Sequence, residues 1–381
     1  MTAPRTSKGQ YLHGPKTLVR EERPLFAPNA HEVQIAIRST TLCGSDVHYY
    51  TYHRNGSIEI KEPLCGGHEA AGEIIGVGAA VANLKVGDKV AIESGVPCEE
   101  CEKCRAGKYN VCPRLRFRSS GASFPHFQGT LQEFVNHPAA WCHVLPESLS
   151  FDDGALLEPL SVCIHAVRKA RMERNMSCLV FGAGAVGLLS AAVAKIEYGA
   201  RVVIADIDAS RVDFAVREGF ADVGFTVVPK RGVALEEKFG IAMGVAGELG
   251  KLKWPSGGEV GGFDVVMECT GVESCVQSSI YAADSGGKVV LIGMGTPIQA
   301  WPISELTGRE IDVASVWRYA FCYPRAIELM NSIAQGDLAP DVRKLITHKF
   351  YGLDSIPEAY ETAAKTKDAQ SQLVIKTVVN L

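Results

Sequence analysis

The chain predicts an α/β protein of two domains, a β-rich one followed by a doubly wound parallel sheet flanked by helices. Three observations predict it. Up to about residue 160, short apolar stretches alternate with turns marked by glycine. At 178–187 an apolar run enters a glycine-rich turn and continues into an Ala-rich segment. From about 177 onward, strand-like and helix-like stretches alternate, the texture of βαβ units. The length of 381 residues allows a separate core for each domain. The expected boundaries are 1–160, with a lobe at 95–114, then 161–316, then a C-terminal segment, 317–381.

The elements follow in order. Val33-Gln-Ile-Ala-Ile-Arg38 alternates apolar and polar positions and reads as a strand. Lys89-Val-Ala-Ile-Glu93 follows the turn Gly87-Asp88 and reads as another. In the second domain strands are expected at Cys178–Phe181, Arg201–Ala205, Phe263–Glu268, Lys288–Ile292 and Ile311–Val316. Helices are expected at Ala185–Ile196 and Ala209–Gly219. The polar, glycine-rich stretch 229–262 reads as a helix plus a flexible insertion. Beyond 317, helices are expected at Pro324–Gln335, stopped by Gly336, and at Pro357–Lys365.

Bulk properties exclude several roles. The formal net charge of −4 offers no basic field for nucleic acid or an anionic membrane. The run Cys178–Ile196 is about the length of a membrane span, but Gly182, Gly184 and Gly187 interrupt it. The N-terminal stretch MTAPRTSKGQ lacks the apolar core of a secretion signal. With 12 cysteines, eight of them scattered outside one cluster, the pattern fits reduced thiols and a cytoplasmic protein.

That cluster is Cys98-x2-Cys101-x2-Cys104-x7-Cys112. Four thiolates so close together suit a tetrahedral zinc, and a closed four-thiolate site leaves no open position for chemistry. The metal is therefore structural, ordering a loop of Glu99, Glu100, Glu102, Lys103, Arg105 and Gly107 that lacks apolar side chains. Two disulfides, or metal-free thiols, are the alternatives.

Gly182-Ala-Gly184-Ala185-Val186-Gly187 fits the dinucleotide-binding turn between a strand and a helix, with the phosphates on the helix N-terminus. Asp206 ends the next strand, where a carboxylate binds a ribose 2′-hydroxyl and repels the extra phosphate of NADP. NAD is the expected cofactor. Arg211 either covers the adenine or pulls toward NADP.

Three further segments carry ligand-type side chains: Cys43-Gly-Ser45-Asp-Val-His48-Tyr49, Gly66-Gly-His68-Glu69, and Leu157-Glu158-Pro-Leu-Ser161. A thiolate, an imidazole and carboxylates make a mixed zinc site, and one position left for substrate makes it catalytic. Such a metal is a Lewis acid that favours loss of a hydroxyl proton.

Together these motifs resemble the zinc-dependent medium-chain alcohol dehydrogenases, and within them the polyol dehydrogenases (sorbitol, xylitol, L-arabinitol). The resemblance runs from about Lys16 to about Ile375. It implies a GroES-like catalytic domain, a Rossmann NAD domain and a C-terminal segment returning to the first domain. It also implies two zincs per chain, and a homotetramer. Cys43, His68 and Glu69 match the positions that hold the catalytic zinc, with Glu158 a fourth ligand or the holder of its water. Ser45 and His48 match a proton relay; Tyr49, Phe117, Arg318 and Tyr319 match substrate-contacting positions, and Arg318 is placed near the cofactor as well. The implied reaction oxidises a secondary hydroxyl of a sugar alcohol to a ketose. An L-threonine-type substrate is the alternative, and a non-catalytic NAD-binding protein a third reading. Two departures carry expectations of their own. Gly66 beside Gly67 implies a looser backbone, and the loop 118–128, with Phe124, His126 and Phe127, is expected to reshape the pocket.

Overall fold

The computed structural model describes residues 5–381, so the first four residues of the stretch read as lacking a signal lie outside it. The chain divides into two compact units. One comprises Met1–Pro159, Tyr323–Gln335 and Arg343–Leu381; the other comprises Leu160–Cys322 and Gly336–Val342.

The first unit is built on a seven-stranded sheet. Its central strand, Glu32–Thr41, pairs antiparallel with Glu69–Val77 on one side, and with Lys376–Asn380 and Phe134–Pro138 on the other. The sequence alternates here, yet Gln34 and Ala36 are buried along with Val33, Ile35 and Ile37. Covering of both faces replaces the half-solvated strand that alternation alone suggests. Ile35, Ile37, Ile74, Val90, Ile92 and Val135 form one apolar cluster around this strand. Tyr11, Leu64, Leu131, Ile356 and Tyr360 belong to a second. Lys376–Asn380 and Ile346–Tyr351 pair in parallel, which brings the C-terminal residues into the same sheet.

The second unit carries a six-stranded, all-parallel sheet. Its order is Val223–Thr226, Arg201–Asp206, Ser177–Phe181, Phe263–Glu268, Ala283–Leu291 and Asp312–Ser315. Strand order reverses around Ser177–Phe181, so a crevice opens at the carboxyl ends of its neighbours, where such sheets take ligands. Helices Ala185–Tyr198 and Ala209–Arg217 follow the first two strands of the motif. The 229–262 stretch differs from the flexible insertion expected. It forms the helix Leu235–Gly250 and then a closed turn in which Trp254 N donates to Gly258 O and Val260 N to Leu252 O. Trp254 and Val260 are buried in the same cluster as Leu179, Val203 and Phe263. Two apolar side chains in an otherwise polar stretch suffice to anchor it, a signal outweighed in the sequence by its glycines.

Candidate active site

The mixed site arises from the register of two strands. Thr41 at the end of one strand sits opposite Glu69 at the start of the next. Cys43 therefore emerges beside His68, and caps the helix Gly44–Tyr52. Cys43, His68 and Glu69 each present one ligand atom, and the three atoms lie within 4.8 Å of one another. Thiolate, imidazole and carboxylate at this spacing fit a zinc with bonds of roughly 2.0–2.3 Å. Glu158, buried in the first turn of Leu157–Ala170, lies outside that triangle but close enough for its charge to act on Lys376.

Around the triangle, partners fix each ligand. Asp46 is fully buried; its carboxylate accepts from the amides of Cys43 (3.1 Å) and Gly67 (3.0 Å) and lies 3.3 Å from His68 Nδ1. Burial alone raises its pKa, but the His68 ring and those amides hold it below the usual carboxylate value. His68 Nδ1 also meets Ser119 Oγ at 2.8 Å, and Ser94 donates to the His68 carbonyl. Glu69 accepts from Thr41 Oγ1 and from Lys376 Nζ at 2.7 Å; Lys376 also donates to Leu42 O. Burial pushes Lys376 down, and the Glu69 charge outweighs it and holds the ammonium protonated. A carboxylate has about four lone-pair sites, so Glu69 keeps one for a metal while bound to both partners.

The glycine pair before His68 tightens the backbone rather than loosening it. A Cβ on Gly66 falls 2.1 Å from the Tyr360 hydroxyl, and Gly67 has φ +84° with Thr40 and Thr130 crowding the Cβ position. Tyr360, stacked on Tyr50 at 4.7 Å, occupies the space that a side chain at 66 would need.

The four lobe cysteines converge. Sulfur separations are 3.4 Å (Cys101–Cys104), 3.5 Å (Cys98–Cys112), 3.8 Å (Cys101–Cys112) and 3.9 Å (Cys98–Cys104). A tetrahedron of Zn–S bonds of roughly 2.3 Å has edges of roughly 3.8 Å, whereas a disulfide is about 2.05 Å. The disulfide alternative is therefore set aside, and all four cysteines are unpaired thiols. Against some desolvation, the amides of Glu100 and Cys101 and neighbouring thiols bring the Cys98 thiol down to about 6, favouring the thiolate a metal takes. The lobe is tied to the sheet by Tyr109, whose hydroxyl donates to buried Glu93 at 2.6 Å and whose ring meets Trp141.

In the second unit each glycine of the turn has a visible reason. Gly182 has φ +98°; Gly184 is the N-cap of Ala185–Tyr198; a Cβ on Gly187 falls 1.7 Å from Gly182 O. Asp206, opposite the turn, accepts from Ala183 N at 2.6 Å and Asp208 N at 2.9 Å. Arg211 Nη1 lies 3.7 Å from the Cβ position of Gly184, beside the phosphate-cradling turn. Buried Glu268, at the end of the adjacent strand, accepts from the amides of Thr270 and Gly271 and orders a loop that packs Thr270 on Gly182.

Other expected site residues lie as follows. Ser45 is half-buried and His48 exposed, one turn apart on the same helix, with His48 Nδ1 3.4 Å from Asn55 Oδ1. Tyr49 is buried and its hydroxyl accepts from Gly121 N at 3.1 Å. The Phe117 ring tilts onto His68 with centroids 5.3 Å apart. Arg318, with φ +54°, and buried Tyr319 belong to the second unit. In the 118–128 loop, Phe127 packs on the buried Arg118 guanidinium at 4.2 Å, His126 Nε2 accepts from Lys61 N at 2.9 Å, and Phe124 is exposed. Sequence reasoning missed Asp46, Ser119, Lys376 and Glu268. Only Lys376 left a signal, a lone charge in the apolar strand stretch Val374-Ile-Lys-Thr-Val-Val379.

Residues 29–147 match the alcohol dehydrogenase GroES-like domain family, and residues 185–332 the zinc-binding dehydrogenase family. Sorbitol dehydrogenase of Gallus gallus is 38% identical over 362 residues, covering 95% of this chain and 94% of that protein. Sorbitol dehydrogenase of Mus musculus is 40% identical over 369 residues, covering 96% and 95%. Among solved structures, an Escherichia coli oxidoreductase/dehydrogenase of unknown specificity aligns with TM-score 0.82 and 28% identity, covering 99% of each chain. With a thiolate–imidazole–carboxylate triangle, a four-thiolate lobe and a nucleotide fold on one chain, the protein is a zinc-binding, NAD-dependent oxidoreductase. It belongs to the zinc-dependent medium-chain dehydrogenase family, in the polyol branch that the sorbitol dehydrogenases represent.

Proposed function

We propose that the chain oxidises a secondary hydroxyl of a sugar alcohol to the ketose, reversibly, with NAD+ as acceptor. The observation that carries this reading is the Cys43–His68–Glu69 triangle with Glu158 nearby. Its support is the level of identity to sorbitol dehydrogenases, 38% and 40%. In balance, CH–OH and NAD+ give C=O, NADH and one proton. When bound, the zinc supplies Lewis acidity to the substrate oxygen and the nicotinamide accepts the hydride. The proton is left to the chain. Ser45 Oγ takes it from the substrate hydroxyl, and His48, three residues on along the helix, passes it toward solvent, which its exposure allows. Glu158 adds a carboxylate that accepts hydrogen bonds in the site. Tyr49, Phe117, Arg318 and Tyr319 are assigned as substrate contacts on the resemblance. Arg318 brings several donors suited to a row of hydroxyls.

Sorbitol, xylitol and L-arabinitol are the proposed substrates, the assembly a homotetramer, and the compartment the cytoplasm. Among the described residues no helix is long and apolar enough to cross a membrane. The test is the initial rate of NADH formation over polyols, simple alcohols and L-threonine at one pH. Turnover concentrated on pentitols or hexitols supports the reading. Turnover of L-threonine or ethanol without polyols overturns it. Within that assay, H48A is expected to lower kcat by about 10²-fold with polyol KM little changed; an unchanged kcat removes His48 from the relay.

A further inference from the structure

We propose that Ser119 is a positioning residue for the catalytic metal, holding His68 by its Nδ1 so that Nε2 faces the ligand triangle. The proposal rests on the reading of Cys43, His68 and Glu69 as that metal's ligands. A metal-bound imidazole is oriented by the partner of its other nitrogen. Here Nδ1 has two candidates. Ser119 Oγ is the nearer, at 2.8 Å against 3.3 Å for Asp46 Oδ2. Asp46 already accepts from the Cys43 and Gly67 amides, so its carboxylate is committed to the backbone that presents the ligands. Ser119 Oγ is thus the second acceptor for the Nδ1 proton, on the opposite segment of the chain.

The corner carrying Ser119 is built to stay in place. Arg118 is 2% exposed, and no carboxylate accepts from it in the structure. Its guanidinium donates instead to Gln128 O (2.8 Å), Asn136 O (2.5 Å) and His137 Nδ1 (3.1 Å), with the Phe127 ring against it. Burial and then the Arg118 charge hold His137 neutral, so its Nε2 donates to Glu93 O at 3.0 Å. Ser119 N donates to Phe127 O, closing the loop on itself. Ser119 has φ +57°, a left-handed conformation that a glycine fits better. A serine kept there gives up local backbone preference and gains a hydroxyl at the imidazole. On the other side Phe117 lies against the ring of the same histidine, so residues 117 and 119 bracket it.

The strain supplies the test. S119A and S119G both delete the hydroxyl, but only glycine relieves the backbone. Zinc release from the purified holoenzyme to a chromophoric chelator separates the two metals, with the four-cysteine zinc as internal control and C43A marking the catalytic one. Both variants are expected to bind the catalytic zinc at least about 10-fold more weakly than wild type. The lobe zinc is expected unchanged, and metal-free S119G is expected to unfold at or above the wild-type temperature. Wild-type retention in both variants overturns the proposal, as does weakening in S119A alone, which assigns the effect to the backbone. A wild-type protein holding one zinc, or C43A still holding two, overturns the ligand reading and the proposal together.

Discussion

At the scale of single residues, Asp206 decides the cofactor. Its carboxylate closes the end of Arg201–Asp206 against the glycine turn by accepting from Ala183 N and Asp208 N. The same negative charge faces the place where a nucleotide ribose approaches such a turn, and it disfavours a 2′-phosphate. Arg211, beside Gly184, supplies the counter-charge that a phosphate would use once the carboxylate is gone. D206N keeps an acceptor for one amide and loses the charge. The ratio of kcat/KM for NAD+ over NADP+ is expected to fall by about tenfold or more, equivalent to about 1.4 kcal/mol. An unchanged ratio in steady-state kinetics places the discrimination elsewhere. This residue was legible because its signal is local: a strand end about twenty residues beyond a glycine turn. Ser119 and Asp46 were not, because neither residue type nor spacing reports which ring nitrogen a distant side chain reaches.

At the scale of elements, the strand Lys376–Asn380 does more than complete a sheet. Val378 pairs with Thr41, and Thr41 pairs with Glu69, so three neighbouring strands bring Lys376 and Glu69 onto one buried site. Removing one member of a buried ion pair costs about 3–5 kcal/mol, because the other is left charged and dry. Metal-free K376M is therefore expected to lose that much stability in urea unfolding, and K376M/E69Q to recover most of it. Additive losses in this double-mutant cycle rule out the pairing. The cysteine lobe and the glycine turn were readable because each is one contiguous segment with a fixed spacing. The Cys43–His68–Glu69 triangle became readable only through family resemblance, since strand register assembles it. The expected looseness at Gly66 failed for a related reason: Tyr360, nearly three hundred residues later, fills the Cβ position. Asp152 shows the same long-range economy, binding Lys349, Ser39 and Asn380. Burial raises its pKa, and these three partners hold it below the ordinary aspartate value. Its contribution is thus present above the unfolded pKa of about 3.9 and lost as pH falls through the lower folded value. The stability gap between wild type and D152A is expected to narrow below about pH 4; a gap constant down to pH 2 removes the charge from the account.

At the scale of the whole molecule, two metals and two units need not share one fate. The first unit holds apolar clusters of its own, and so does the parallel sheet of the second. The cysteine lobe does not: Glu99, Glu100, Glu102, Lys103, Arg105 and Lys108 are exposed, and only Tyr109 and its neighbour Asn110 reach inward beside Cys112. Where apolar burial is scarce, metal–thiolate bonds supply the folding free energy directly. Chelation should therefore release structure in a definite order. Amides at 98–112 are expected to exchange freely once zinc is stripped. Those of Ser177–Phe181 and Arg201–Asp206 stay protected, because their opening requires loss of the buried sheet core. Trypsin should then cut at Lys103, Arg105 or Lys108 before any site in the second unit, and added zinc should restore resistance. If protection vanishes everywhere at once on chelation, the lobe is not an independent unit of stability. Its metal would then hold the remainder of the fold through the Tyr109–Glu93 hydrogen bond that joins lobe to sheet.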